Sequence, residues 1–295
     1  MENPISIHCP DSLDDAVAIL SARPGARILA GGTDLLVKHR NGMLPNLTDF
    51  VDISGLRLQE IERESDSIII GSGCTMTALA QSPLVADRFP CLAQGAIQVG
   101  AFQIRNCATI GGNIANGSPA GDTIPAMFCL DAMVRIFGPE SRRTIPIAEF
   151  FTGPGKTVLR QGEIIESFAL PDRRTFGVFF KLGERRAHAI SKVSISVSCF
   201  ESGQGRREFR IALGAVGPTV LRCRKAEELM TAAGWPPPSA DLVDKASRLV
   251  MDASRPIDDI RSLKDYRKKM TGVLFIRAID RLNARSYQLN NSGEE

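Results

Sequence analysis

The chain has 295 residues, of which 43% are hydrophobic and 23% charged, the profile of a globular protein long enough for two cores. Its formal net charge is only +3, with Lys and Arg spread along the chain, so a nucleic-acid partner is not expected. No apolar run is long enough to span a bilayer and no charged-then-apolar leader opens the sequence, so neither a transmembrane segment nor a secretory signal is expected. The seven cysteines are scattered, odd in number and without a C-x-x-C pair. That pattern fits buried thiols in a reduced, cytoplasmic setting and argues against a disulfide framework or a metal site on this chain.

In chain order, Leu13, Ala16, Val17 and Leu20 recur at helical spacing behind Ser12, which with Asp15 resembles a capping box. Pro24–Gly25 ends that helix. "RILA" then reads as a buried strand running into Gly31–Gly32, "DLLVKHR" as a helix and "DFVDIS" as a second strand. The first 56 residues therefore predict a small α/β lobe, and residues 57–174 a larger mixed lobe. In the latter, "LQEIERESDSIIIGSG" reads as two strands around a Ser-Asp-Ser turn, and "TMTALAQS", "CLAQGAIQVG" and "IPAMFCLDA" as helices. "MVRIFG" and "RTIPI" read as strands, and "EIIESFALP", which ends on Pro171, as an edge strand. From Thr175 to about residue 285 three strand-like runs, "FGVFFKLG", "ISKVSISVSCFE" and "REFRIALGAV", precede three helices, the last covering 263–286. Strands followed by helices predict an α+β domain. Residues 286–295 read as a polar, frayed tail, and Trp235, ahead of three prolines, as a packing residue.

Two glycine-rich turns carry the chemistry. "AGGTD" (Ala30–Asp34) joins a strand to a helix, and "TIGGN" (Thr109–Asn113) lies inside "NCATIGGNIANGSPAGD", a stretch with no Lys or Arg. Glycine admits positive φ and close approach of a ligand, and successive exposed N–H groups form an anion-binding concavity. Two such turns suit two linked phosphates. The usual dinucleotide fingerprint is missing, because "GSGCTM" has Met76 where the third glycine belongs. "GPGKT" (Gly153–Thr157) resembles the end of a P-loop, but Phe150 stands where the leading glycine should be, so a turn is expected. The three histidines are isolated and no G-x-S-x-G occurs, so no side chain is assigned as acid, base, nucleophile or metal ligand. Lys181, within "FFKLGERRAHAIS", is either a solvated strand lysine or a cation beside a cofactor.

"AGGTDLLV", "GAFQIRNCATIGGNIANGSPAGDTIPA", "FFTGPGKTVLRQGEII" and "KLGERRAHAISKVSISVS" together resemble the FAD-binding medium subunit of the molybdenum hydroxylases, the xanthine dehydrogenase and carbon monoxide dehydrogenase family. The resemblance runs from Pro10 to about Arg285. It implies a two-lobed vanillyl-alcohol-oxidase-type FAD-binding domain, with FAD extended between its lobes, and a C-terminal α+β domain with a three-stranded antiparallel sheet. By motif position it implies cofactor contacts from Leu29, Ala30, Gly31, Gly32, Thr33, Asp34 and Leu35 in the first loop, and from Thr109, Ile110, Gly111, Gly112 and Asn113 in the second. Asp122 matches an acid that accepts hydrogen bonds from the cofactor, and Ile165 an apolar residue against the flavin. Lys181 matches a lysine near the isoalloxazine, and Val99 falls where relatives can carry Phe. The cysteine-rich insertion of the 4-hydroxybenzoyl-CoA reductase branch is missing.

The resemblance implies an electron-transfer role with FAD on this chain. Molybdopterin would sit on a large partner subunit and two 2Fe–2S clusters on a small one, in an α2β2γ2 assembly. NAD, a quinone or oxygen would be the external acceptor. A stand-alone flavin oxidoreductase and a non-catalytic assembly subunit are the alternatives.

Overall fold

The computed structural model describes residues 5–185, 188–202, 206–234 and 239–291. Trp235 lies outside them. The chain forms two compact units, each built from separate segments. One holds residues up to Ala78 together with Phe102–Gly117 and Asp131–Asp172; the other holds Leu79–Ala101, Ser118–Leu130 and the residues from Arg173 onward.

The first unit opens with a three-stranded parallel sheet in the order Ser6–His8, Asp49–Asp52, Ala26–Leu29. Ser6–His8 adds a strand to the two expected there. Three residues are too few to show a period, and the strand is recognisable only by its pairing. The helix Leu13–Ala22 starts where Ser12 accepts the Asp15 N–H, and it buries Ala16, Val17 and Leu20. These residues pack with Val51, Ile53, Phe137 and Ile164 in one apolar cluster. Phe137 and Ile164 come from the unit's second sheet, which is antiparallel and five-stranded, in the order Ile61–Glu64, Ser67–Gly71, Ile164–Pro171, Met133–Phe137, Arg142–Pro146. Ile164–Pro171 is thus the central strand, not an edge. Pro171 is its last residue, so the missing N–H falls where the ladder ends.

The second unit is an antiparallel sheet of Thr175–Leu182, Val193–Ser202, Arg206–Gly214 and the two-residue strand Leu221–Arg222. The expected three strands are therefore four. The last is too short for its pattern to register. Val178, Ile195, Val197, Phe209 and Ile211 form its core with Phe275 and Ile279 of the helix Lys264–Asn291. That helix runs past Ser286 to Asn291, because no Gly or Pro occurs between Ser286 and Gly293. Buried Ser194, Ser196 and Ser198, on one face of their strand, allow the helix Ile124–Cys129 close to the sheet. There Ser198 Oγ donates to the Cys129 carbonyl, 3.3 Å away.

Candidate functional site

The first glycine turn follows directly from the parallel sheet. Strand Ala26–Leu29 ends with the Leu29 carbonyl accepting from Ile53 N–H at 3.0 Å. Gly31 then lies so close to the Cys107 carbonyl that no Cβ fits, and Gly32 takes φ +67°, which L side chains rarely adopt. The helix Leu35–Arg40 begins next, with Leu36 N–H donating to the Gly32 carbonyl at 3.0 Å. Among the described residues, the backbone N–H groups of Gly31, Gly32, Thr33, Asp34 and Leu35 find no acceptor within the chain. Such a run of free donors around a left-handed residue has the backbone chemistry from which anion-binding concavities are built. Asp34 carries the only charge in it. Its carboxylate is 2.6 Å from Lys38 Nζ, which also donates to Asn116 Oδ1 at 2.8 Å.

The second glycine segment has the same composition and a different structure. "TIGGN" is not a turn but the start of a helix, Ile110–Asn116, capped by Thr109. Its early N–H groups are already used. Ile110 donates to the Cys74 carbonyl (2.9 Å), Gly111 to the Ser72 carbonyl (2.8 Å), Gly112 to Thr109 Oγ1 (3.0 Å) and Asn113 to the Thr109 carbonyl (3.0 Å). The expected row of bare N–H groups is therefore found in the first loop only. Tertiary acceptors at Ser72 and Cys74 overcome the roughly 1 kcal/mol by which each glycine disfavours a helix. A Cβ on Gly111 would press into Ser72, 2.7 Å from its carbonyl oxygen. Gly112 is exposed, and a Cβ there would meet only Thr109 Oγ1, at 3.0 Å. Of the two glycines, Gly112 is the one that leaves backbone open to a ligand. The helix ends at Gly117 in the left-handed region, whose carbonyl accepts from Gly155 N–H at 2.9 Å. Gly155 belongs to "GPGKT", which is the turn of a small hairpin (Phe151–Gly153 with Lys156–Thr157). Ile165, 4% exposed, lies at a register shift of the central strand.

Asp122, Lys181 and Val99 fall in the second unit. Lys181, at the end of strand Thr175–Leu182, donates to Asp122 Oδ2 at 2.6 Å and to the Gln98 carbonyl at 2.9 Å. Ser191 Oγ donates to Asp122 Oδ1, also at 2.6 Å. Both side chains of the ion pair are under a tenth exposed. Burial pushes the Asp122 carboxyl above the usual carboxylate range, against the pull of Lys181 and the Ser191 hydroxyl. The pair leaves one ammonium proton and further carboxylate lone pairs unused. Val99, adjoining Gln98, sits just past the helix Pro90–Ile97. Sequence reasoning missed Lys38, Asn116, Gln98 and Ser191. Only Lys38 leaves a readable signal, as the cation four residues after Asp34 on a helix. Among the described residues, no three His, Cys, Asp or Glu are grouped to hold a metal ion, and no helix is long and apolar enough to cross a membrane.

Residues 3–173 match the family described as the FAD binding domain in molybdopterin dehydrogenase, and residues 178–282 the CO dehydrogenase flavoprotein C-terminal domain. The chain belongs to this family of flavin-carrying subunits of molybdopterin dehydrogenases. It is 33% identical over 267 residues to the xanthine dehydrogenase FAD-binding subunit of Escherichia coli O157:H7, covering 89% of this chain and 90% of the relative. It is 31% identical to the carbon monoxide dehydrogenase medium chain of Afipia carboxidovorans, covering 95% and 96%. The structure of carbon monoxide dehydrogenase from Hydrogenophaga pseudoflava contains a chain that superposes with a TM-score of 0.89 at 30% identity, covering 97% of this chain and 99% of that one. The chemistry of the first unit fits the family's cofactor. Five unpaired N–H groups suit a diphosphate, and Gly112 leaves exposed backbone for close approach.

Proposed function

We propose that this chain is the FAD-binding electron-transfer subunit of a molybdopterin-dependent hydroxylase or dehydrogenase. In this reading it receives electrons from iron–sulfur clusters of a small partner subunit and delivers them to an external acceptor such as NAD, a quinone or oxygen. The row of unpaired N–H groups from Gly31 to Leu35 carries the reading, because a run of backbone donors without acceptors in the chain, around the left-handed Gly32, suits an anionic ligand. These groups would hold the diphosphate. Thr109, Gly112 and Asn113 would line its approach, and Ile165 would offer an apolar wall. Bound FAD would supply redox exchange in one- or two-electron steps. Lys181 would place positive charge near the flavin ring, with Asp122, Ser191 and the Gln98 carbonyl fixing where the ammonium stands. The residues of this chain bind and tune; none transfers a proton to a substrate.

The test is to express the chain with its large and small partners and to record flavin absorption and its bleaching on adding substrate. Bleaching in the complex, and none in the isolated flavin-loaded chain, is the expected result. Substrate-dependent bleaching of the isolated chain would point instead to a stand-alone oxidoreductase. A colourless complex would mark an assembly subunit.

A further inference from the structure

The segments assigned to the cofactor, 29–35 and 109–113, contain a single formal charge, and its sign is wrong. Asp34 is an acid set among N–H donors that suit a diphosphate. Its side chain is half exposed and makes no cap bond to the helix it precedes, so helix capping does not account for it. A carboxylate beside a bound diphosphate would repel it and weaken binding several-fold at low ionic strength. Lys38 lies one helical turn on, with Nζ 2.6 Å from Asp34 Oδ2 and 2.8 Å from Asn116 Oδ1.

We propose that Lys38 is a positioning residue that masks Asp34. It cancels the carboxylate beside the free N–H groups and ties the first loop's helix to the end of helix Ile110–Asn116. The inference rests on the FAD reading above. A pair this exposed adds little to folding, so its removal should act on ligand binding far more than on stability.

The experiment uses the full chain, purified with any subunits that accompany it and freed of flavin. FAD is titrated into wild type, Lys38→Met, Asp34→Asn and the double variant, at low salt and at about 0.3 M salt. Lys38→Met should raise the FAD dissociation constant about three- to tenfold at low salt, and the difference should shrink as salt rises. Asp34→Asn, which keeps the backbone N–H of residue 34 and removes only the carboxylate, should tighten FAD binding at low salt. The double variant should return to within about twofold of wild type, because the charge that needed masking is gone. Riboflavin, which has no phosphate, should bind wild type and Lys38→Met alike.

A double variant as weak as Lys38→Met overturns the proposal, since Lys38 would then act without Asp34. Equal loss of riboflavin affinity overturns it in favour of a purely structural role. Unchanged FAD affinity in Lys38→Met overturns the masking alone, whereas a wild type that binds no FAD removes the flavin reading and the proposal together.

Discussion

Two glycine pairs of nearly the same wording do different work in this fold. In "AGGTD" and the Leu35 that follows it, the N–H groups from Gly31 to Leu35 have no acceptor in the chain, while in "TIGGN" the N–H groups from Ile110 to Asn113 are bonded within the chain. Within each pair the glycines also divide. Gly31 and Gly111 are needed because the chain itself comes too close, to Cys107 and Ser72 respectively; Gly32 is needed for its positive φ, and a Cβ on Gly112 would meet only Thr109 Oγ1, at 3.0 Å. A glycine-rich motif is thus evidence of close approach, but the approaching partner is as often the protein as a ligand. The donors that can hold an anion are found by following each N–H to its acceptor.

The sharpest way to break this contrast is Gly111→Val. Its side chain would be driven into the Ser72 backbone, at a cost of about 3 kcal/mol or more, and the chain should lose cooperative thermal unfolding with or without flavin. Normal melting of that variant would show that the Ser72 contact does not decide this position. Gly112→Ala should act on binding far more than on folding. Alanine's helix propensity, about 0.5–1 kcal/mol, is offset in the flavin-free chain by the 3.0 Å contact of its methyl with Thr109 Oγ1, so stability should change by less than that, while a methyl on the exposed backbone should weaken FAD binding about tenfold. If calorimetry shows affinity unchanged, the open face is not where the cofactor approaches.

Thr109→Ala removes the cap and strands the Gly112 N–H, for a loss of about 1 kcal/mol that Thr109→Ser should largely restore in denaturant titrations. The smallest effect concerns thiols. Cys9 and Cys107 are exposed; burial pushes Cys74 and Cys91 up to about 11, and Cys199 and Cys223 up to about 12. At about pH 8 only Cys9 and Cys107 should alkylate readily in the native chain. Bound FAD should slow Cys107 by a few-fold, because its carbonyl abuts Gly31. Peptide mass spectrometry would show an equal Cys107 rate with and without flavin if the first loop is not occupied.

Much of this was legible before the fold was known. The Ser12 cap and the Ser-Asp-Ser turn each appear as written, since each depends on neighbours in sequence. The strict alternation of "SISVS", which suggests a sheet with one wet face, misleads, because Ser194, Ser196 and Ser198 are as buried as Ile195 and Val197. What stayed hidden depends on distant partners. The helix Ile110–Asn116 needs Ser72 and Cys74 to accept its first N–H groups, and two adjacent glycines argue against any helix when read alone. Ile164–Pro171 looks like an edge until the positions of its two neighbours are known. The bond from Lys38 to Asn116 spans 78 residues. Asp122 and Lys181 could each be singled out in the sequence but not paired, because 59 residues separate them.

The interleaving of the two units bears on how this protein could be taken apart. The stretch that matches an FAD-binding domain ends at residue 173, yet Leu79–Ala101 and Ser118–Leu130, which lie inside it, pack with the C-terminal half of the chain. A fragment cut after residue 174 would leave Asp122 without Lys181 and Ser191, and helix Pro90–Ile97 without the strand it lies on. Inherited modules and mechanical ones are therefore different objects here. Removing the C-terminal half would strip the packing partners from two segments in the middle of the N-terminal one, so neither half is a self-contained part.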